Sequence, residues 1–207
     1  MNIFSRITEK FRKRKIGEEI RIVGIDDSPF DRSKQRSIIV IGTIYRGGKY
    51  IDGLISTYVD IDGSNATDKL IDMINNSKHR AQLQVIMTDG IAFGGFNVLD
   101  INKLSNKTKL PVIVVMRKYP DMDAVFNALR NVQGYDFKRK LIEEAGQIYE
   151  VDVHKGGKVY VQLAGIVPDE ARKIIKVSCT NGFIPEPVRV SHIIASGVVE
   201  GESRGRA

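Results

Sequence analysis

The chain has 207 residues, a net charge of +7, 42% hydrophobic and 28% charged side chains, values that exclude a disordered chain and allow a core without staples. A single cysteine, Cys179, excludes an internal disulfide and a cysteine-type zinc cage, which fits a reducing, cytoplasmic setting. No apolar run approaches the ~18 residues of a membrane span, and the opening MNIFSRITEKFRKRK lacks the apolar stretch of a secretory signal.

The elements follow in chain order. Ile3, Phe4, Ile7 and Phe11 recur at helical spacing, so a basic amphipathic helix is expected within residues 1–18. Ile20–Asp26 is an apolar, β-branched run and reads as a buried strand, closed by Asp27-Ser28-Pro29. Ser37–Tyr45 and Tyr50–Val59 read as two further strands joined by the Arg46-Gly47-Gly48-Lys49 turn. Ser64 is the expected cap of a helix over 64–77. Leu83–Met87 and Leu110–Met116 read as strands, with helical text at 97–105 and 121–130. Residues 136–146 read as a helix, His154–Lys158 as the centre of a hairpin, and the stretches after Pro168 and Pro187 as helices. Residues 200–207 are expected to form a loose tail.

Neither a repeat nor a Pro/Gly/Ser-rich linker breaks the sequence, so 1–207 is expected to form one domain. Three strands joined by short turns, followed by alternating helices and strands, give an α/β chain with the ribonuclease H-like order: a mixed sheet flanked by helices. A right-handed crossover from the third strand sets the fourth beside the first. That layout predicts that Asp26 and Asp89, at the ends of those two strands, are neighbours.

Carboxylates at the mouths of buried strands are costly unless paired or bound to a cation. Asp26-Asp27, Asp60, Asp62 and Asp89 all follow apolar strands, and a converging set of them suits Mg²⁺ or Mn²⁺. Such an ion activates water and clamps a phosphoryl oxygen, and the excess of positive charge points to a polyanion such as DNA or RNA. The loop Gly90-Ile-Ala-Phe93-Gly94-Gly-Phe96-Asn97 offers glycines for close approach, Phe93 or Phe96 for stacking and Asn97 for a base edge. Arg117 and Lys118 follow the fifth strand at the same end of the sheet and would face a phosphate. His192 shares a helix face with Arg189. No P-loop, GxGxxG, HExxH or GxSxG motif occurs, and no small-molecule cofactor or membrane partner is expected.

RIVGIDDSPF (21–30), TDGIAFGGFN (88–97), PEPVRVSH (185–192) and GES (201–203) resemble an archaeal family formerly grouped as a domain of unknown function. That resemblance implies a deoxyuridine-directed endonuclease, and the family is in turn similar to endonuclease V, a deoxyinosine repair enzyme of ribonuclease H-like fold. Carried residue by residue, the endonuclease V resemblance matches its first aspartate to Asp26, its Asp-Gly pair to Asp89-Gly90, its lysine to Arg117 and its Pro-Glu-Pro-x-Arg-x-x-His segment to 185–192. Its Tyr-Ile-Pro-Gly-Leu wedge resembles Tyr50-Ile51-Asp52-Gly53-Leu54, with Asp52 for proline. Its glutamate falls at Val59, so Asp60 takes that place, with Asp62 in reserve.

The resemblance therefore implies a metal-dependent DNA endonuclease at deaminated bases, with Asp26, Asp60 and Asp89 on the metal, Arg117 and His192 on the phosphate or leaving oxygen, and Tyr50 and Ile51 wedged into the duplex. Gly90, Phe93, Gly94, Asn97, Lys118 and Arg189 complete the expected substrate contacts. The alternative expectation is a nucleic-acid-binding module of the same fold without catalysis.

Overall fold

A computed structural model of the protein describes residues 7–9 and 16–203. The expected N-terminal helix is described only over 7–9, which are helical, and 16–18, which are not; the rest of it and the end of the tail lie outside the described residues. Strands β1 (Arg21–Asp27), β2 (Ser37–Arg46) and β3 (Tyr50–Asp60) form an antiparallel meander, and helix α1 (Ala66–Asn75) crosses back to β4 (Val85–Asp89). The two-residue strands β5 (Ala92–Phe93) and β6 (Asn97–Val98) pair with each other, and helix α2 (Ile101–Thr108) leads to β7 (Val112–Met116). Helices α3 (Met122–Leu129) and α4 (Tyr135–Glu144) precede β8 (Tyr149–Asp152) and β9 (Lys158–Ala164), and α5 (Pro168–Ser178) and α6 (Glu186–Glu200) follow.

The seven-stranded sheet runs β3-β2-β1-β4-β7-β9-β8. β4 lies parallel to both β1 and β7, so the crossover expected from the sequence is the one formed. Both faces of the central strands are covered, which is why β1, β4 and β7 read as unbroken apolar runs and not as alternating ones. Val23, Ile25, Ile86, Val112 and Val114 face α1 and α2, whereas Ile22, Val85, Met87, Ile113 and Val115 face α5 and α6. Alternation along each strand then fixes the direction of every side chain at the strand ends.

Several local expectations are corrected. Ser64 does not cap α1: Asn65 holds the N-cap position without a side-chain cap bond, and the Ala66 amide instead donates to Asn97 Oδ1 at 2.9 Å. The helix expected from 97 begins at Ile101, because Asp100 caps it by accepting from the Lys103 amide at 2.7 Å. β4 starts at Val85 and reaches Asp89, so that carboxylate ends the strand itself. Among the described residues, no helix is long and apolar enough to cross a membrane.

Candidate active site

The site is assembled by the seating of α6 on β1 and β2. Gly24 has no side chain, and a Cβ built there would overlap the backbone carbonyl of Pro187. The Thr43 hydroxyl donates to that same carbonyl at 2.6 Å, and the Ser191 hydroxyl donates to the Gly24 carbonyl. These residues are buried, and each bond satisfies a polar group that would otherwise be orphaned. The helix is thus fixed in rotation and height, and the next residue, His192, comes to rest with Nδ1 2.8 Å from Asp26 Oδ2.

Asp89 ends the neighbouring parallel strand on the same face. Ligand atoms of Asp26, Asp89 and His192 all lie within 4.8 Å of one another. Arg117 adds a cation, 3.3 Å from Asp89 Oδ2. Asp26 is 4% exposed, and burial pushes its carboxyl up to about 7, with the charges of Asp89 and Asp27 acting the same way and the His192 hydrogen bond opposing them. The hydrogen bond to Asp26 raises His192 above its ordinary value, against the effect of its burial. Two carboxylates and an imidazole this close form an oxygen-and-nitrogen donor set that fits a divalent metal ion. With Nδ1 turned to Asp26, His192 keeps Nε2, which has no partner among the described residues.

Asp60 does not join this group. Asp26 is level with Ile41 and thence Ser56, so Asp60 stands four residues further along β3, roughly 13 Å beyond, and is exposed. Asp62, the reserve carboxylate, is committed elsewhere: it accepts from Arg32 Nε at 2.9 Å and from the Phe96 amide at 2.8 Å. Asp27 points to the opposite face from Asp26, where its Oδ2 accepts from the Gly94 amide at 2.6 Å and ties the glycine loop to the strand end.

The expected wedge is also displaced. Tyr50 pairs with Arg46, which pairs with Arg21, so Tyr50 and Ile51 sit at the other end of the sheet from Asp26, roughly 17–20 Å along the strands. Asp52 serves there as a fastener, with ion pairs to Arg21 at 2.9 Å and Arg46 at 3.0 Å. Phe93 is wholly buried in the core and presents no face for stacking. Asn97 is wholly buried, with its amide spent on Ala66, the Asp60 carbonyl and Asn65. Arg189 is held by the buried Glu186 carboxylate at 2.7 Å, at the start of α6 and away from His192. Gly94 is buried in the tethered loop, Gly90 takes a φ of 73° with open space around it beside Asp89, and Lys118 is exposed next to Arg117. Only Gly90 and Lys118 of the expected substrate contacts thus border the acidic group.

A feature the sequence reading passed over lies on the other side of the rim. Ile91, two residues after Asp89, and Met116, the residue before Arg117, line a cavity of about 390 Å³ between the sheet, α3 and α4, with Gln162 of β9 also in its wall. No local spacing signals this, because its walls come from four separate stretches of the chain.

The family model described as Endonuclease dU matches residues 18–199. The UPF0215 protein of Methanothermobacter thermautotrophicus is 49% identical over 208 residues, covering 100% of both chains. A crystal structure of a protein of unknown function from Archaeoglobus fulgidus superposes with a TM-score of 0.79 at 46% identity, over 88% of this chain and 99% of the other. Endonuclease V of Ciona intestinalis, solved with a 24-mer DNA containing an inosine followed by a ribo-adenosine, gives a TM-score of 0.62 at 15% identity, over 96% of this chain and 94% of the other. That last likeness shows a shared fold, and endonuclease V from Bacillus subtilis repeats it with a TM-score of 0.59 at 12% identity.

Proposed function

Because the chain belongs to the endonuclease dU family, we propose that it is a divalent-metal-dependent endonuclease that hydrolyses a phosphodiester of DNA at deaminated bases, deoxyuridine first among them. The observation that carries this reading is the meeting of Asp26, Asp89 and His192 at one rim, with Arg117 beside them.

Asp26 and Asp89 would hold Mg²⁺ or Mn²⁺ through oxygen, and His192, its Nδ1 held by Asp26, would turn Nε2 to the phosphate or the leaving oxygen. When bound, such an ion lowers the pKa of a coordinated water and offsets charge on the phosphate. The protein's own residues do the positioning. Asp26 fixes the histidine tautomer and ring by its bond to Nδ1. Arg117 places a fixed positive charge where a phosphate oxygen or the leaving oxygen gains negative charge. Gly90 and Lys118, at the adjoining strand ends, leave room and charge for the backbone of the strand being cut.

A nicking assay on uracil-containing duplex with Mg²⁺ or Mn²⁺ tests the proposal. The parent protein nicks the uracil strand, and Asp89→Asn lowers the rate at least about tenfold. Equal rates for the two proteins, or no metal-dependent nicking of DNA or RNA by the parent, overturn it.

A further inference from the structure

Gln162 is 5% exposed, yet its amide is only half used. Nε2 donates to the Gly146 carbonyl at 3.0 Å, and Oε1 has no partner among the described residues. This oxygen keeps access to the cavity rather than being sealed in the core, as an acceptor in a binding site awaiting its ligand does. The cavity of about 390 Å³ against which this side chain lies is otherwise largely apolar, lined by Ile91, Met116, Met122 and Val125, with Tyr119 62% exposed beside it.

Its place in the sheet relates it to the acidic rim. Thr88 is level with Val114, and Val114 with Gln162, so Gln162 lies about 10 Å from Thr88 on the sheet face opposite Asp89, and the two sites meet over the strand ends. Gly90-Ile91 and Met116-Arg117 bridge the two sites directly, each placing one residue at the rim and its neighbour in or beside the cavity wall.

We infer that this cavity receives the everted base of the strand bound at the acidic rim, and that Gln162 selects bases carrying a lactam edge. This rests on the nuclease reading above and names its specificity residue. Deamination turns a ring nitrogen beside an amino group, as in cytosine, into an N–H beside a carbonyl, as in uracil; hypoxanthine carries the same edge. Oε1 accepts from that N–H, and the second proton of Nε2 is available to the adjacent carbonyl. Cytosine offers the reversed pattern, and the amide cannot turn over to meet it because the Gly146 carbonyl, an acceptor only, holds the NH₂ end. Tyr119 adds an aromatic face at the mouth on which a base can stack.

The test is binding of the full chain to labelled duplexes that differ only in carrying uracil or cytosine opposite cytosine, so that both bases are mispaired, with Ca²⁺ supplied in place of Mn²⁺. The parent binds the uracil duplex at least about tenfold more tightly. Gln162→Leu removes that preference and keeps the parent's affinity for the cytosine duplex and for Mn²⁺. Should Gln162→Leu fail to fold, Val125→Trp fills the cavity from α3 and must remove the preference equally. A preference that survives either folded variant overturns the inference. A parent that nicks without any such preference also overturns it while leaving the nuclease intact; a parent that neither nicks nor binds nucleic acid defeats the nuclease reading instead.

Discussion

Asp26 Oδ2 and His192 Nδ1 stand 2.8 Å apart although 166 positions separate them in the chain. The contact exists because α6 is pinned to β1 and β2 one turn earlier, through Gly24, Thr43, Pro187 and Ser191. The Pro-Glu-Pro-x-Arg-x-Ser-His segment is therefore mainly a seat. Pro187 and Ser191 dock, Glu186 and Arg189 lock the first turn to each other, and His192 alone reaches the rim.

Gly24→Ala tests the seat. Its methyl would meet the Pro187 backbone, which has no rotamer to move, so α6 must lift. Denaturant unfolding should show a loss of about 1–3 kcal/mol, and the folded fraction should lose nicking activity as His192 withdraws from Asp26. Ser191→Ala, which removes the bond from that hydroxyl to the Gly24 carbonyl while the β1–β2 ladder bonds remain, should cost about 0.5–1.5 kcal/mol by the same measurement.

The pH dependence of stability tests the buried carboxylate. Folded Asp26 keeps its proton up to about 7, whereas the unfolded chain releases it near 3.8. Between those values the folded state binds more protons, so stability falls as pH rises and levels off above about 7. His192, raised by Asp26, acts in the same direction: its contribution is complete below 6.5 and is lost as pH climbs through its folded value. The metal-free protein should therefore have a lower denaturation midpoint at pH 8 than at pH 5. Asp26→Asn should flatten that slope and be the more stable protein at pH 8. A parent whose midpoint rises from pH 5 to pH 8 contradicts this.

Asp60 and Asp62 separate a solvated carboxylate from a structural one. Asp60→Ala should leave both the melting temperature and the nicking rate at the parent's values, because the side chain is exposed and distant from Asp26. Asp62→Ala should lower stability by about 1–2 kcal/mol, since the Phe96 amide and Arg32 lose their acceptor. A large loss of nicking in Asp60→Ala with an unchanged melting temperature would restore it to the metal site.

The contrast between these two aspartates shows what was legible in the sequence. The strands of the sheet were, because apolar runs such as RIVGI and VIVVM admit few other placements between two helical layers. So was the meeting of Asp26 with Asp89, because a right-handed crossover leaves one position for β4. Asp60 was misjudged because β3 continues for four residues past the level of Asp26, and strand length relative to a neighbour is a register property that composition does not carry. Phe93 and Asn97 were misjudged because a glycine-rich loop can turn its side chains inward as easily as outward; here the inward turn is fixed by the bonds of Asn97 to α1. Gln162 gave no signal at all, since a lone glutamine on a strand acquires meaning only from the cavity that α3 and α4 build against it.

Titration of Mn²⁺ into the metal-free protein by calorimetry addresses the central claim most directly. The parent should bind Mn²⁺ saturably, Asp89→Asn should weaken that binding at least about tenfold, and Asp60→Ala should leave it unchanged. A parent without saturable binding, or an Asp89→Asn protein that binds as tightly as the parent, would contradict a metal centre at this rim.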